Sequence, residues 1–326
     1  MKAAWRDRYG PPHVVSVREV ETPAASGSQV LVRVKVAGAN RADIDGLRPR
    51  WQFIRLFLGL RRPRRPGLGI DLAGVVEAVG PEQARFKVGE RVFGELFGIG
   101  GRTFAEYALA RERELAPIPD WLTNEMAAAL PHSGLLALQS LRWRDGSTVG
   151  AGERLLVVGA SGNVGPYVVQ IATARGVHVT AVASGDKLDF VRSLGADELV
   201  DYRTTDYTRP AEPYHWIVDV DAHQPMRRWW RALRPGGSYV TLGGPLGLML
   251  SGAWQRPLLR LLTGRRLAMM LWWKPFHPPD VEELLRLVQA GQVVPQVDKV
   301  YPLEQVAQAL AWLDEGKSRG KVLVVP

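Results

Sequence analysis

No cysteine occurs among the 326 residues. That absence excludes disulfides, a thiolate nucleophile, iron–sulfur clusters and the usual thiolate zinc sites, and it fits a reducing, cytoplasmic setting. Lysine is scarce too: 42 residues are Lys or Arg, yet only eight are lysines. No uncharged apolar run approaches the roughly 18 residues of a membrane span. The opening Met1-Lys2-Ala3-Ala4-Trp5-Arg6-Asp7 lacks the continuous apolar stretch of a secretory signal. What is present is ordinary for a globular chain, 46% hydrophobic, 23% charged and 8% aromatic, and at roughly 150 residues per domain the length predicts two domains.

The formal charge of +9 is uneven. Gly46 to Ile70 carries Arg48, Arg50, Arg55, Arg61, Arg62, Arg64 and Arg65 and no acid, and Ala222 to Pro279 carries nine cations and no acid. Both stretches are also apolar, with Trp51 to Leu58 in the first and Leu258 to Leu262 and Leu267 to Trp273 in the second. Such stretches are solvated faces of an arginine-rich chain, a peripheral contact with anionic lipid, or the mouth of a site for hydrophobic or anionic substrates. No nucleic acid is expected, because no recognisable nucleic-acid-reading motif accompanies the charge.

The first hundred residues alternate as short strands, among them Val30 to Val36 and Ala73 to Val79. From Thr123 the period turns helical, with one helix at Met126 to Leu130 and a second from Ser133 to Trp143. Strands and helices then alternate strictly: Arg154 to Val158, a helix stopped by Gly176, Val177 to Ala183, a helix from Lys187, Leu199-Val200, Trp216 to Val220, a helix from Met226 to Leu233, and Ser238 to Leu242. This βαβ order specifies a doubly wound parallel sheet. Lys321 to Val325 is expected to return as a strand to the first domain. The domain bounds are therefore 1–122, 123–275 and a C-terminal return at 276–326.

Between the first strand and helix of the alternating part stands Gly159-Ala160-Ser161-Gly162-Asn163-Val164-Gly165-Pro166. Small residues there let the backbone turn tightly and approach a pyrophosphate, whose charge is met by amides at the helix start. Asn163 is tolerated in such a turn because asparagine enters left-handed geometry. The next strand ends in Ser184-Gly185-Asp186-Lys187. Ser184 with Lys187 favours the 2′-phosphate of NADPH, while Asp186 either accepts the ribose hydroxyls of NAD or caps the next helix. Lys187 has the further reading of a solvated first-turn lysine.

With these residues the sequence resembles, over nearly its full length, the medium-chain dehydrogenase/reductase family in its zinc-free quinone oxidoreductase branch. The landmarks are Val36 to Asp43, Gly69 to Val76, Phe86 to Gly94, Thr103 to Tyr107, the glycine turn, Ser193 to Asp197 and Gly320-Lys321-Val322. The resemblance implies an α/β fold: a GroES-like β-rich domain built from both ends of the chain, plus a Rossmann domain with a parallel sheet. It also implies a homodimer, no metal, and hydride transfer from NADPH to a quinone or to the activated C=C of an enone, so that the cofactor carries the chemistry.

Asn40 matches the family asparagine near the nicotinamide, and Asp43 follows at the family spacing; the plainer reading of the pair is an Asx turn ending a strand. Tyr202 and Arg203 match positions flanking the adenosine phosphate, and Leu242-Gly243-Gly244 is expected to pass beneath the cofactor. His132, unusual for its position, is either a proton donor or structural. Asp219-Val220-Asp221-Ala222-His223 departs from the family's usual glycine. The sequence therefore predicts a zinc-independent NADPH-dependent quinone or enone reductase. The alternatives are a carbonyl/alcohol oxidoreductase on the same scaffold and an NADPH-sensing binding protein with little turnover.

Overall fold

The computed structural model describes residues 1–49, 55–82, 85–97, 102–225, 228–251 and 256–326. Arg50 and residues 51–54 of the first basic stretch, residues 252–255 of the second, and Met226 at the expected helix start lie outside the described residues. The chain begins with β1 (Lys2–Trp5), β2 (Ser16–Glu19), β3 (Gln29–Ala39), α1 (Arg41–Leu47), α2 (Arg55–Leu58), β4 (Asp71–Val79), β5 (Arg91–Glu95), β6 (Tyr107–Arg111) and β7 (Leu115–Pro117). It continues with α3 (Asn124–Ala129), α4 (Pro131–Ser140), β8 (Arg154–Val158), α5 (Gly165–Ala174), β9 (His178–Ala183), α6 (Leu188–Ser193), β10 (Glu198–Asp201) and β11 (Tyr214–Asp219). Then come α7 (Trp229–Ala232), β12 (Leu233–Thr241), α8 (Leu246–Leu250), α9 (Arg256–Thr263), β13 (Arg266–Met269), α10 (Pro278–Gln289), β14 (Val297–Pro302), α11 (Val306–Asp314) and β15 (Lys321–Val325). Among the described residues no helix is long and apolar enough to cross a membrane.

The chain divides into two compact units. The first comprises Met1–Leu135, Lys274–Glu282 and Pro295–Pro326. Its main sheet has the order β14-β15-β3-β4-β5-β7, with β6 also paired to β3. As expected, β15 returns to this sheet, where Val322, Leu323 and Val324 pair antiparallel with Ala39, Gly38 and Ala37. Alternation along β3 buries Val30, Val32 and Val34 against Leu72, Val92, Leu115 and Leu310, the burial of one face that a period of two produces.

The second unit comprises Leu136–Trp273 and Glu283–Val294. Its six strands run in the order β10-β9-β8-β11-β12-β13, every neighbouring pair parallel. This is the doubly wound α/β sheet expected from the strand–helix alternation. The C-terminal part of α10 and the residues after it belong to this unit, although the sequence reading assigns them to the first domain. Gln170 of α5 is the reason: its amide donates to Val294 O at 3.1 Å and accepts from Val294 N at 2.8 Å. Pro235-Gly236-Gly237 lie within β12, whose pairing with β11 skips from Leu233 to Ser238. The skipped residues bulge out of the ladder.

Candidate active site

In the second unit, β8 feeds directly into the glycine turn. Gly159 takes φ +82, a left-handed conformation that glycine adopts without a Cβ penalty. A Cβ at Gly165 would stand 2.3 Å from Gly159 O and 2.5 Å from Ala160 Cα, so the first residue of α5 touches the turn itself. Pro166 follows in the first turn of α5, where a missing amide costs no hydrogen bond. Ala160, Ser161 and Val164 are buried, while Gly162 and Asn163 are partly exposed. The left-handed rationale for Asn163 is corrected: among the described residues Phe276 is the only non-glycine with positive φ. The turn fits a dinucleotide cradle, since its narrow backbone leaves no room for side chains at Gly165.

The ends of β9 and β10 bring the cofactor-specificity candidates together. Asp186 takes a hydrogen bond from Ser184 and lies 3.3 Å from Arg203 Nη1. The Ser184 hydroxyl, followed by the nearby cations, holds its carboxyl below the ordinary aspartate range. Lys187 is buried, which removes its reading as a solvated lysine. Tyr202 is exposed with the Arg203 guanidinium 5.8 Å from its ring centre. Past β12, Leu242 N donates to Asp219 O at 3.0 Å and Gly243 O accepts from Ala222 N at 2.9 Å. A Cβ on Gly244 would meet Ala222 Cβ at 2.8 Å. Ala222, in the segment that departs from the family's glycine, is thus packed against a residue that must itself be glycine.

The first unit holds a buried polar cluster. Asn40 and Asp43 open α1, and the Asp43 carboxylate accepts from Asn40 N at 2.8 Å and from Gly69 N at 3.1 Å. Burial pushes Asp43 up to about 6 against the pull of the Asn40 amide. The Asx-turn reading is replaced by a helix start whose third residue, Asp43, accepts the amide of Asn40. The Asn40 side chain points to the interior: its amide donates to Asp71 Oδ2 at 2.9 Å and its Oδ1 accepts from Lys321 Nζ at 2.5 Å. Lys321 donates further to Asp71 Oδ2 at 2.8 Å and to Ser133 Oγ at 3.2 Å. Lys321, Asp71, Asn40 and Ser133 are all 0% exposed. Gly38 makes room for the lysine stem, because a Cβ there would lie 2.8 Å from Lys321 Cε and 2.6 Å from Ala128 O.

Beside this group His132 Nδ1 meets Glu95 Oε1 at 2.6 Å. The backbone amide of His132 donates to Asp71 Oδ1 at 3.2 Å, and Phe276 N donates to Glu95 Oε2 at 3.3 Å. Glu95 is held above the usual carboxylate range by burial and by Asp71, with the His132 hydrogen bond opposing. The structure thus brings Asn40, Asp43 and His132 into one cluster and adds Lys321, Asp71, Glu95 and Ser133. Sequence reasoning assigned those four no role. Asp71 and Lys321 stand inside quoted landmarks, which is the signal that was available for them. Glu95 has none.

Two family models match the chain. "Alcohol dehydrogenase GroES-like domain" matches residues 26–120 and "Zinc-binding dehydrogenase" matches residues 194–324. Zinc does not fit these residues: cysteine is absent, and among the described residues no three His, Asp or Glu side chains are grouped to hold a metal. The oxygens of Asn40, Asp71 and Ser133 converge instead on an ammonium, which a divalent cation would have to displace. The chain is 30% identical over 320 residues to the chloroplast envelope quinone oxidoreductase homolog of Arabidopsis thaliana, covering 94% of this chain and 93% of the relative. It is 32% identical to the trans-enoyl reductase pgmF of Aspergillus terreus, covering 91% and 86%. The solved quinone oxidoreductase of Coxiella burnetii shares the fold, with a TM-score of 0.86, 24% identity and coverage of 100% and 99%. On the shared landmarks, the fold and these relatives, the chain belongs to the medium-chain dehydrogenase/reductase family, in its zinc-free quinone oxidoreductase-like branch.

Proposed function

We propose that the chain is a metal-independent, NADPH-dependent reductase that directs hydride to a quinone or to the activated double bond of an enone. The observation that carries the reading is the Gly159–Gly165 turn at the end of β8, tight enough that a Cβ on Gly165 would collide with backbone. Gly159 to Gly165 form the pyrophosphate cradle, where backbone amides meet negative charge. Ser184, Lys187, Tyr202 and Arg203 take the adenosine end, and the two cations suit a 2′-phosphate; Leu242-Gly243-Gly244 supports the cofactor from below. Asn40 and Asp43 fix the junction of β3 and α1. The kinship with a quinone oxidoreductase homolog and a trans-enoyl reductase supplies the substrate classes.

A homodimer belongs to this reading, with β13 at the edge of the six-stranded sheet offering a strand that pairing with a second copy would cover. So do a cytoplasmic setting and a small hydrophobic substrate. The test measures oxidation of NADPH beside NADH with a panel of quinones, enones and aldehydes, and identifies every product. Quinone or enone turnover with NADPH preferred is the expected result. Allylic alcohol as product shifts the reading to carbonyl reduction, and tight NADPH binding without turnover shifts it to a sensing protein.

A further inference from the structure

We propose that the second unit carries an oxyanion site distinct from the glycine turn: a pocket at the N-terminal edge of the parallel sheet, where His215 and Arg234 donate to a carboxylate or phosphate group, with Arg266 as a second cation of the lining. The site lies wholly within residues of the second unit and is independent of the reductase reading.

Three observations carry it. First, a cavity of about 260 Å³ has Glu153, His215, Trp216, Arg234, Gly236 and Arg266 in its lining. These residues stand just before or near the starts of β8, β11, β12 and β13, whereas the glycine turn follows the end of β8. Doubly wound sheets bind their cofactors and substrates outside the carboxyl ends of the strands, so a ligand at the opposite edge is an additional one. The volume falls just short of the roughly 300–1,000 Å³ of pockets that take drug-sized ligands, which makes the ligand small.

Second, two donors face each other in the lining. His215 Nδ1 accepts from the Arg154 amide at 3.1 Å, so that atom carries no proton and the proton of the neutral ring sits on Nε2. Burial, and after it the charge of Arg234, agree by holding the imidazole below its usual range. Nε2 in turn meets Nη1 of Arg234, a nitrogen that donates and cannot accept. An N–H set against an N–H makes no hydrogen bond. An oxygen that accepts from both satisfies the pair, and a charged oxygen does so most strongly.

Third, the lining is built for a negative ligand. Arg266 is fixed: its Nε donates to Ser238 Oγ at 2.9 Å, its Nη1 to Asp145 at 3.1 Å and to Ser147 Oγ at 2.9 Å, and its guanidinium lies 5.0 Å from the Trp143 ring centre and 5.9 Å from that of Trp216. Arg234 and Arg266 both come from the acid-free stretch between Ala222 and Pro279, so part of the charge that stands out in the sequence is gathered here. The ring of His215 feels Arg234 more strongly than Glu153, and Arg154 adds to the positive side. Glu153 has one oxygen taken by the Gly150 amide at 2.8 Å. Between the two arginines the backbone of β12 leaves its partner strand, and Gly236, at φ +77, would have nothing within 4 Å of a Cβ. The chain is thus open on that side, as at a bulge beside a ligand.

The test titrates inorganic phosphate and, separately, acetate into the full chain at constant ionic strength while histidine ring resonances are followed by NMR, with His215→Gln identifying the His215 signals. Those signals are expected to move saturably; a response to phosphate alone names a phosphate ligand, to acetate alone a carboxylate, and to both the shared chemistry. Arg234→Gln, at an exposed position, is expected to weaken the binding about tenfold or more, the effect of removing one partner of a hydrogen-bonded charge pair. Arg231→Gln, at an exposed arginine of the same basic stretch outside the lining, is expected to leave it within about twofold, as for a surface charge that makes no direct contact. His215 signals that neither anion moves overturn the proposal. Equal weakening by the two substitutions also overturns it, by showing diffuse attraction to basic charge, as does binding that survives Arg234→Gln, which places the anion elsewhere, the dinucleotide turn included. Should Arg234→Gln fail to fold, the wild type decides: shifts at His215 no larger than those that sodium chloride produces at the same ionic strength overturn the site.

Discussion

Asp219 ends β11 fully buried, with one oxygen accepting from the Tyr239 hydroxyl at 2.8 Å and Oδ1 without a hydrogen-bond partner. Burial pushes it up to about 7, with Asp221 adding to the rise and Tyr239 resisting it. The sign of the linkage follows. The unfolded aspartate loses its proton near 3.8 and the folded one near 7, so between those values the native state binds more protons and stability falls as pH rises. Below about 4 this group imposes no penalty, and above about 7 the whole penalty is present. Asp219→Asn removes the titration and still offers Tyr239 an acceptor. It is expected to be more stable than the wild type by a few kcal/mol at pH 8, at about 1.4 kcal/mol per pH unit, and close to it at pH 4. Urea unfolding at both values reads the difference. A constant offset between the two proteins would refute the assignment of the proton to Asp219.

At the scale of elements, the turn between β8 and α5 is where sequence and structure agree most closely. Glycine spacing after a buried apolar strand is a local signal, and nothing distant is needed to read it. Gly165→Ala is expected to lower NADPH affinity at least tenfold, about 1.4 kcal/mol, because its Cβ displaces Gly159 O and Ala160. Isothermal titration alongside circular dichroism separates that loss from unfolding. The parallel sheet and the return of β15 were legible for the same reason, as runs of Val and Leu bounded by breakers. The polar cluster was not. Asn40, Asp71, Glu95, His132, Phe276 and Lys321 are scattered from the first strands to the last, and only the crossing of β3, β4, β5 and β15 brings them together. A lysine inside an apolar terminal strand reads as an ordinary exposed residue until its ammonium is seen to be wholly buried. The left-handed reading of Asn163 fails because the positive φ of the turn falls on Gly159. Helix α9 and strand β13 had been read only as greasy, basic sequence, which periodicity over so few residues does not resolve.

For the whole molecule, the absence of cysteine and the fully buried ammonium of Lys321 act together. A zinc enzyme of this family would carry soft ligands that leave an open coordination position. Here Lys321 supplies the positive charge to Asn40, Asp71 and Ser133 as part of the covalent chain, and no chelator can remove it. Removing that charge alone would leave the Asp71 carboxylate buried without its ion-pair partner, a loss of about 3–5 kcal/mol for comparable pairs, so the fold depends on that atom. Two outcomes follow for the intact protein. NADPH-dependent turnover is expected to persist unchanged after prolonged incubation with EDTA or 1,10-phenanthroline, and added zinc is expected not to raise it. Thiol-alkylating reagents are likewise expected to leave the rate and the unfolding midpoint where they were, since the chain offers them no thiolate. Activity lost to a chelator and restored by zinc would show a metal requirement and would overturn the metal-free reading of the whole molecule.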